Sequence, residues 1–137
     1  MVGMILFAVL CGLGVATATA ADMVVLQTVE QGVIRGTQRT TAAGTRVAEF
    51  KGIPFAAPPL GAGRFAPPRP PTNWSGVLDT TDYKHNCMQG SINMGWPQPF
   101  SIQSEDCLYL NVFAPAVKPV KPVPVIFWIF GGGSVLP

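Results

Sequence analysis

Val123 to Gly133 reads V-P-V-I-F-W-I-F-G-G-G, and the way this stretch is read decides what kind of sheet the chain belongs to. Apart from Pro124, every residue from Val123 to Phe130 is β-branched or aromatic. A strand with one solvated face alternates apolar and polar residues, whereas a strand covered on both faces reads as a continuous apolar run, as in parallel or mixed sheets layered with helices. The run predicts a buried strand. It breaks at Gly131, Gly132 and Gly133, where the absence of Cβ allows positive φ and lets backbone N–H groups approach a ligand unobstructed. Three glycines taken alone more often make a flexible turn than a site, so their meaning rests on what precedes them.

Working back from that strand, Leu108 to Phe113 also has strand character. Ala114 to Pro122, with Pro115, Pro119 and Pro122, is expected to link the two as antiparallel neighbours. Residues Asp79 to Ser104 carry no clear period. Between Pro54 and Pro71 lie seven prolines, three Pro-Pro pairs among them. Proline cannot donate to a ladder or continue a helix, so this segment is extended and irregular. It is interspersed or flanked by Phe50, Ile53, Phe55, Phe65 and Trp74, which predict an ordered loop pressed onto a larger core, each large apolar group contributing roughly 1.5–3 kcal/mol if buried. Earlier still, Met23 to Val29, Gly32 to Thr37 and Arg46 to Lys51 read as short strands of a small antiparallel sheet.

The first 20 residues form an expected signal peptide. Met1 to Ala21 contains no charged side chain, and the apolar run from Met4 to Val15 is followed by Ala18-Thr19-Ala20, which fits a small-residue cleavage site. A basic n-region is missing, and an uncleaved membrane anchor is the alternative, near the short limit for spanning. After cleavage no stable membrane insertion is expected.

Composition narrows the function. The chain has 137 residues, 48% hydrophobic and 12% charged, with formal net charge +2, as a globular domain does. Its basic residues are scattered rather than gathered in a stripe with aromatics, and nucleic acid is not an expected partner. Cys11 leaves with the leader; Cys87 and Cys107 remain, an even pair in a chain bound for an oxidising compartment, which favours a disulfide over a metal pair. A single histidine, His85, and no C-x-x-C argue against zinc. No metal and no cofactor is expected. Asn73-Trp74-Ser75 satisfies the N-glycosylation sequon, with a buried Trp74 weighing against occupancy.

Three stretches then occur in a telling order: F-K-G-I-P-F-A-A-P-P-L-G-A-G-R-F from Phe50, E-D-C-L-Y-L-N-V from Glu105, and W-I-F-G-G-G from Trp128. Together they resemble the N-terminal part of type-B carboxylesterases, the cholinesterase and fungal-lipase branch of the α/β-hydrolases, over residues 21–137. The resemblance implies an α/β fold of which this portion is mostly short β-strands and long Pro-rich loops. It implies a Ser, acid, His triad in that chain order, and oxyanion-hole amides at Gly132 and Gly133. It pairs Cys107 with Cys87, and it implies a buried structural ion pair between Arg64 and Glu105.

The sequence also departs from the family pattern. It contains no G-x-S-x-G, Ser134 lacks the strand-turn-helix setting of a nucleophile, and His85 lies far upstream of a triad histidine. Trp96 and Phe100 either line a gorge, as aromatics do in some relatives, or pack their loop. The expectation is an N-terminal portion of a secreted carboxylic ester hydrolase, inactive alone because serine, acid and base are absent, acting in a longer protein on a small-molecule or lipid ester. The alternatives are a triad-less extracellular binding or adhesion domain of the same family, and a truncated product without function.

Overall fold

In the computed structural model the described residues are 23–89 and 102–131. They form one sheet of five strands: β1 (Met23–Val29), β2 (Gly32–Thr40), β3 (Arg46–Pro54), β4 (Val77–Asp79) and β5 (Tyr109–Pro115). The helical content among them is a single 3-10 turn at Gly61–Gly63. β1, β2, β3 and β5 lie in that order with antiparallel neighbours, and β4 adds to β2 in parallel.

Strand alternation sorts the two faces. Ile34 on β2 and Ala48 and Phe50 on β3 are buried, with Val25, Val29, Ile53, Trp74 and Leu78 packed against them. On the other face of β3, Glu49 is only 4% exposed. It is held by Arg39, whose Nε lies 2.7 Å from Oε1, and by Lys51, whose Nζ lies 3.0 Å from Oε2. Two cations make its burial tolerable, since an ionised carboxylate away from water is costly unless paired and hydrogen-bonded.

β2 and β3 pair only between Thr37–Thr40 and Arg46–Glu49. Beyond that they diverge, and Thr80 fills the gap. This residue has no solvent exposure. Its N–H donates to Arg35 O at 2.8 Å, its hydroxyl donates to the same oxygen at 3.0 Å, and its carbonyl accepts from Lys51 N at 2.7 Å. Beside it, Arg35 and Asp79 form an ion pair in register between β2 and β4, and the Arg35 hydrogen bond holds the Asp79 carboxyl below its ordinary range.

β3 joins β5 through a bulge between Phe50 and Ile53. Gly52 supplies it with φ of 74°, a conformation that costs other residues energy, and its N–H donates to Asn111 Oδ1 at 2.9 Å. The extra residue keeps Phe50 and Ile53 on the same face, although their partners Val112 and Leu110 are two apart.

Several expectations are corrected. β2 and β3 run three residues further than the sequence implied, and β5 occupies Tyr109–Pro115 instead of Leu108 to Phe113. β4 was not anticipated. The Pro-rich loop is ordered, with Phe55 N bonded to Leu108 O at 3.2 Å and Ala57 N to Arg69 O at 2.8 Å. Its own aromatics do not reach the core, however: Phe55 is 51% and Phe65 94% exposed.

The largest correction concerns residues 123–130, which form no strand; the expected hairpin link at Ala114 to Pro122 therefore does not form. An extended segment becomes a strand only when a neighbour exchanges ladder bonds with it. Among the described residues no strand pairs with it. Ile126 is 90% and Trp128 81% exposed.

Glu49 sets an acid limit on the sheet. The Arg39 hydrogen bond, joined by Lys51 and opposed by burial, lowers its pKa below the ordinary 4.5. A depressed carboxylate contributes stability that is present above the unfolded-state pKa and lost as pH falls through the folded one. Glu49→Gln is expected to cost about 1–3 kcal/mol at pH 7 and to flatten the acid limb below pH 4.5, read by urea titration of the far-UV circular dichroism of dilute protein; an unchanged acid limb would contradict it.

The exposed apolar segment sets a second expectation, because an unpaired extended run of this composition pairs between chains. The 137-residue chain is expected to self-associate, and Ile126→Lys to reduce the association in light scattering. A monodisperse wild-type monomer with a cooperative melt would sink this.

Candidate functional site

In the block from Glu105 to Val112 nearly each residue of E-D-C-L-Y-L-N-V has a partner. Glu105 Oε1 lies 2.6 Å from Arg64 Nε in an ion pair. The pair is half-exposed, at 58% and 36%, rather than buried as the sequence reading implied. An exposed pair of this kind contributes about 0–1 kcal/mol. Cys107 is joined to Cys87 in a disulfide with Cα atoms 5.0 Å apart. Leu108 O and Asn111 Oδ1 accept from Phe55 and Gly52, and Val112 sits opposite Phe50.

Two of these contacts escaped the sequence reading. Tyr109 donates its phenolic O–H to Asp106 Oδ1 at 2.8 Å; burial first, and this bond second, push its pKa up to about 12, so it remains a donor at any physiological pH. The Asp and Tyr stand three apart in sequence, a spacing that could have flagged the pair. The Asn111 bond to Gly52 crosses the bulge and has no local signal. All of these interactions fix geometry, and none leaves a nucleophile free.

Next to Arg64, the backbone of Phe65 adopts φ of 61°, an outlier for a bulky residue that costs about 1–3 kcal/mol. The Arg64 guanidinium carbon lies 5.1 Å from the centroid of its ring, within cation–π range.

On the polar face of the sheet is an open depression of about 430 Å³, lined in part by Arg39, Glu49, Lys51, Asp82, Tyr83 and Phe113. Both of its cations are engaged by Glu49, and Lys51 Nζ also lies 5.2 Å from the Tyr83 ring centroid. None of its lining residues belongs to the glycine segment. Among the described residues no group of three or more His, Cys, Asp or Glu is placed to hold a metal, and no helix is long and apolar enough to cross a membrane.

Gly131 closes the exposed apolar segment and is itself exposed. The expected oxyanion residues Gly132 and Gly133 lie outside the described residues, as do Ser134, Trp96, Phe100 and the leader segment 1–20. Asn73 is described and exposed.

A bulged strand, tied to a strand that carries a disulfide-bearing signature, thus precedes the exposed apolar run. The carboxylesterase family matches residues 22–136, and the chain belongs to that family. Carboxylesterase 1E of Rattus norvegicus is 47% identical over 100 residues, covering 66% of this chain and 18% of the relative. The acetylcholinesterase of Electrophorus electricus is 41% identical over 110 residues, 74% of this chain and 17% of the relative. That of Bungarus fasciatus is 43% identical over 112 residues, 76% and 18%. The chain thus spans less than a fifth of the length of these relatives. Membership implies the α/β-hydrolase fold; the described residues are its mostly antiparallel, nearly helix-free portion.

The disulfide closes a loop of 20 residues' separation, for which chain entropy gives about 3 kcal/mol. Cys87→Ser is expected to destabilise the sheet by about 2–4 kcal/mol in urea titration. Material made in an oxidising compartment should show no free thiol at Cys87 or Cys107 before reduction. Labelling of both would overturn the pairing.

Proposed function

We propose that this chain is the N-terminal portion of a secreted carboxylic ester hydrolase, and that the backbone N–H groups of Gly132 and Gly133 form its oxyanion hole. The observation that carries the reading is the extent of the family match, from residue 22 to residue 136, a range that includes the disulfide signature and the glycine run. The described geometry supports it in one further way. Glu105 to Val112 ties the Pro-rich loop and β3 to β5, a scaffold for whatever follows.

In this reading a serine attacks the carbonyl of a small-molecule or lipid ester, a histidine takes its proton, and an acid orients the histidine. Those three belong to a longer protein, since this sequence holds no G-x-S-x-G. The contribution of this portion is electrostatic. Two amides aimed at the tetrahedral oxyanion stabilise charge that appears only in the transition state, and they cost no reorganisation when it forms. Residues 1–20 would direct export and be removed, with residues 21–137 as the start of the esterase domain. The disulfide supports the oxidising route.

The test uses the longer gene product that this reading requires. Gly132→Val or Gly133→Val is expected to lower kcat/KM by about two or more orders of magnitude, the range seen on losing an oxyanion donor, while Phe130→Tyr keeps near-normal activity. The 137-residue chain should turn over no p-nitrophenyl ester above background. Valine variants with undiminished kcat/KM would make the glycines a turn and end the proposal.

A further inference from the structure

Asn73-Trp74-Ser75 is the one N-x-S/T triplet in the sequence, and its middle residue is what made it doubtful, because a large apolar neighbour that must be buried threatens to draw the acceptor in with it. The structure separates the two. Trp74 turns onto the sheet: its indole N–H donates to Val33 O at 2.8 Å and its backbone N–H to Gln31 O at 3.1 Å. The ring lies so close over β2 that a Cβ on Gly32 would fall 2.6 Å from Nε1, and glycine is the residue that leaves room for it. With Trp74 pinned inward on an extended stretch, its neighbours are left outside, and Asn73 and Ser75 are both exposed. Pro70 and Pro71 stiffen the chain just before, and Gly76, with φ of 75°, turns it into β4 just after.

We propose that Asn73 carries an N-linked glycan, a site compatible with the folded sheet because only Trp74 of the triplet is spent on packing. The donor is a lipid-linked oligosaccharide pyrophosphate. The Asn73 carboxamide nitrogen bonds to C1 of the first sugar as the C1–O bond to the pyrophosphate breaks; one amide proton leaves to a base of the transferase, the lipid pyrophosphate departs, and nothing is oxidised or reduced. The proposal rests on the export reading above, since the donor and transferase lie in the secretory lumen.

The full chain is translated with endoplasmic-reticulum microsomes, treated with protease from outside, and run on a denaturing gel, where self-association is immaterial. The expected result is a protease-protected product with one mobility shift, removed by peptide-N-glycosidase, lost in Asn73→Gln and Ser75→Ala, and kept in Ser75→Thr. A protected but unshifted chain overturns the glycan while leaving export standing. An unprotected, unshifted chain overturns both. A shift that persists in Asn73→Gln assigns the modification elsewhere and also overturns the proposal.

Discussion

Thr80 is the residue on which the sheet depends, because it completes the hydrogen bonding of two strands that no longer reach each other. Past Thr37 and Glu49 the β2 and β3 ladders part, and the Arg35 carbonyl and the Lys51 amide would face a gap. A buried backbone group without a partner costs about 1–3 kcal/mol, and Thr80 satisfies both, using backbone and hydroxyl together. The same splice fixes the face of β3 that carries Lys51, and with it the cation that shares Glu49 with Arg39. Packing on one face and charge pairing on the other are therefore set by a single position.

The signature from Glu105 to Val112 plays a comparable part at the other edge. A tight ion pair, a disulfide, an Asp–Tyr bond and an Asn–amide bond converge on one short strand and the turn before it. Apart from the disulfide each interaction is modest, and an exposed pair such as Arg64 with Glu105 contributes little by itself. Their combined effect is to specify register, since a one-residue slip of β5 would break several of them at once.

Much of this was legible in the residues, and the exceptions have physical causes. β1, β2, β3 and β5 announced themselves through local composition and turns. β4 did not, because Val77–Asp79 is too short to show a period and becomes a strand only through the tertiary contacts of Trp74 and Thr80. The buried Glu49 had no signal in the sequence, because only the sheet brings Arg39 alongside to make its burial tolerable. Phe55 and Phe65 looked like core by composition, yet both are exposed among the described residues. The apolar character of residues 123–130 was plain, but strand formation is a property of pairs of segments, and its pairing cannot be read from one of them. The role of Arg64 and Glu105 rested on resemblance, not on spacing, and Gly132 and Gly133 carry their role by resemblance still.

The way β2 is shared among three partners also bears on how the chain assembles. β1, β2 and β3 are consecutive in sequence, so their ladders close short loops and lose little chain entropy. β4 must then find the first part of β2 across the whole Pro-rich loop, and β5 must find β3 across a stretch longer still. Low-contact-order pairings form fast and distant ones slowly. For a chain emerging from its amino end, the three-stranded meander is complete before the residues that splice and clamp it exist. Stiff prolines in the intervening loop restrict the conformations it must search, and thereby shorten the interval in which the open edge of β3 stands bare.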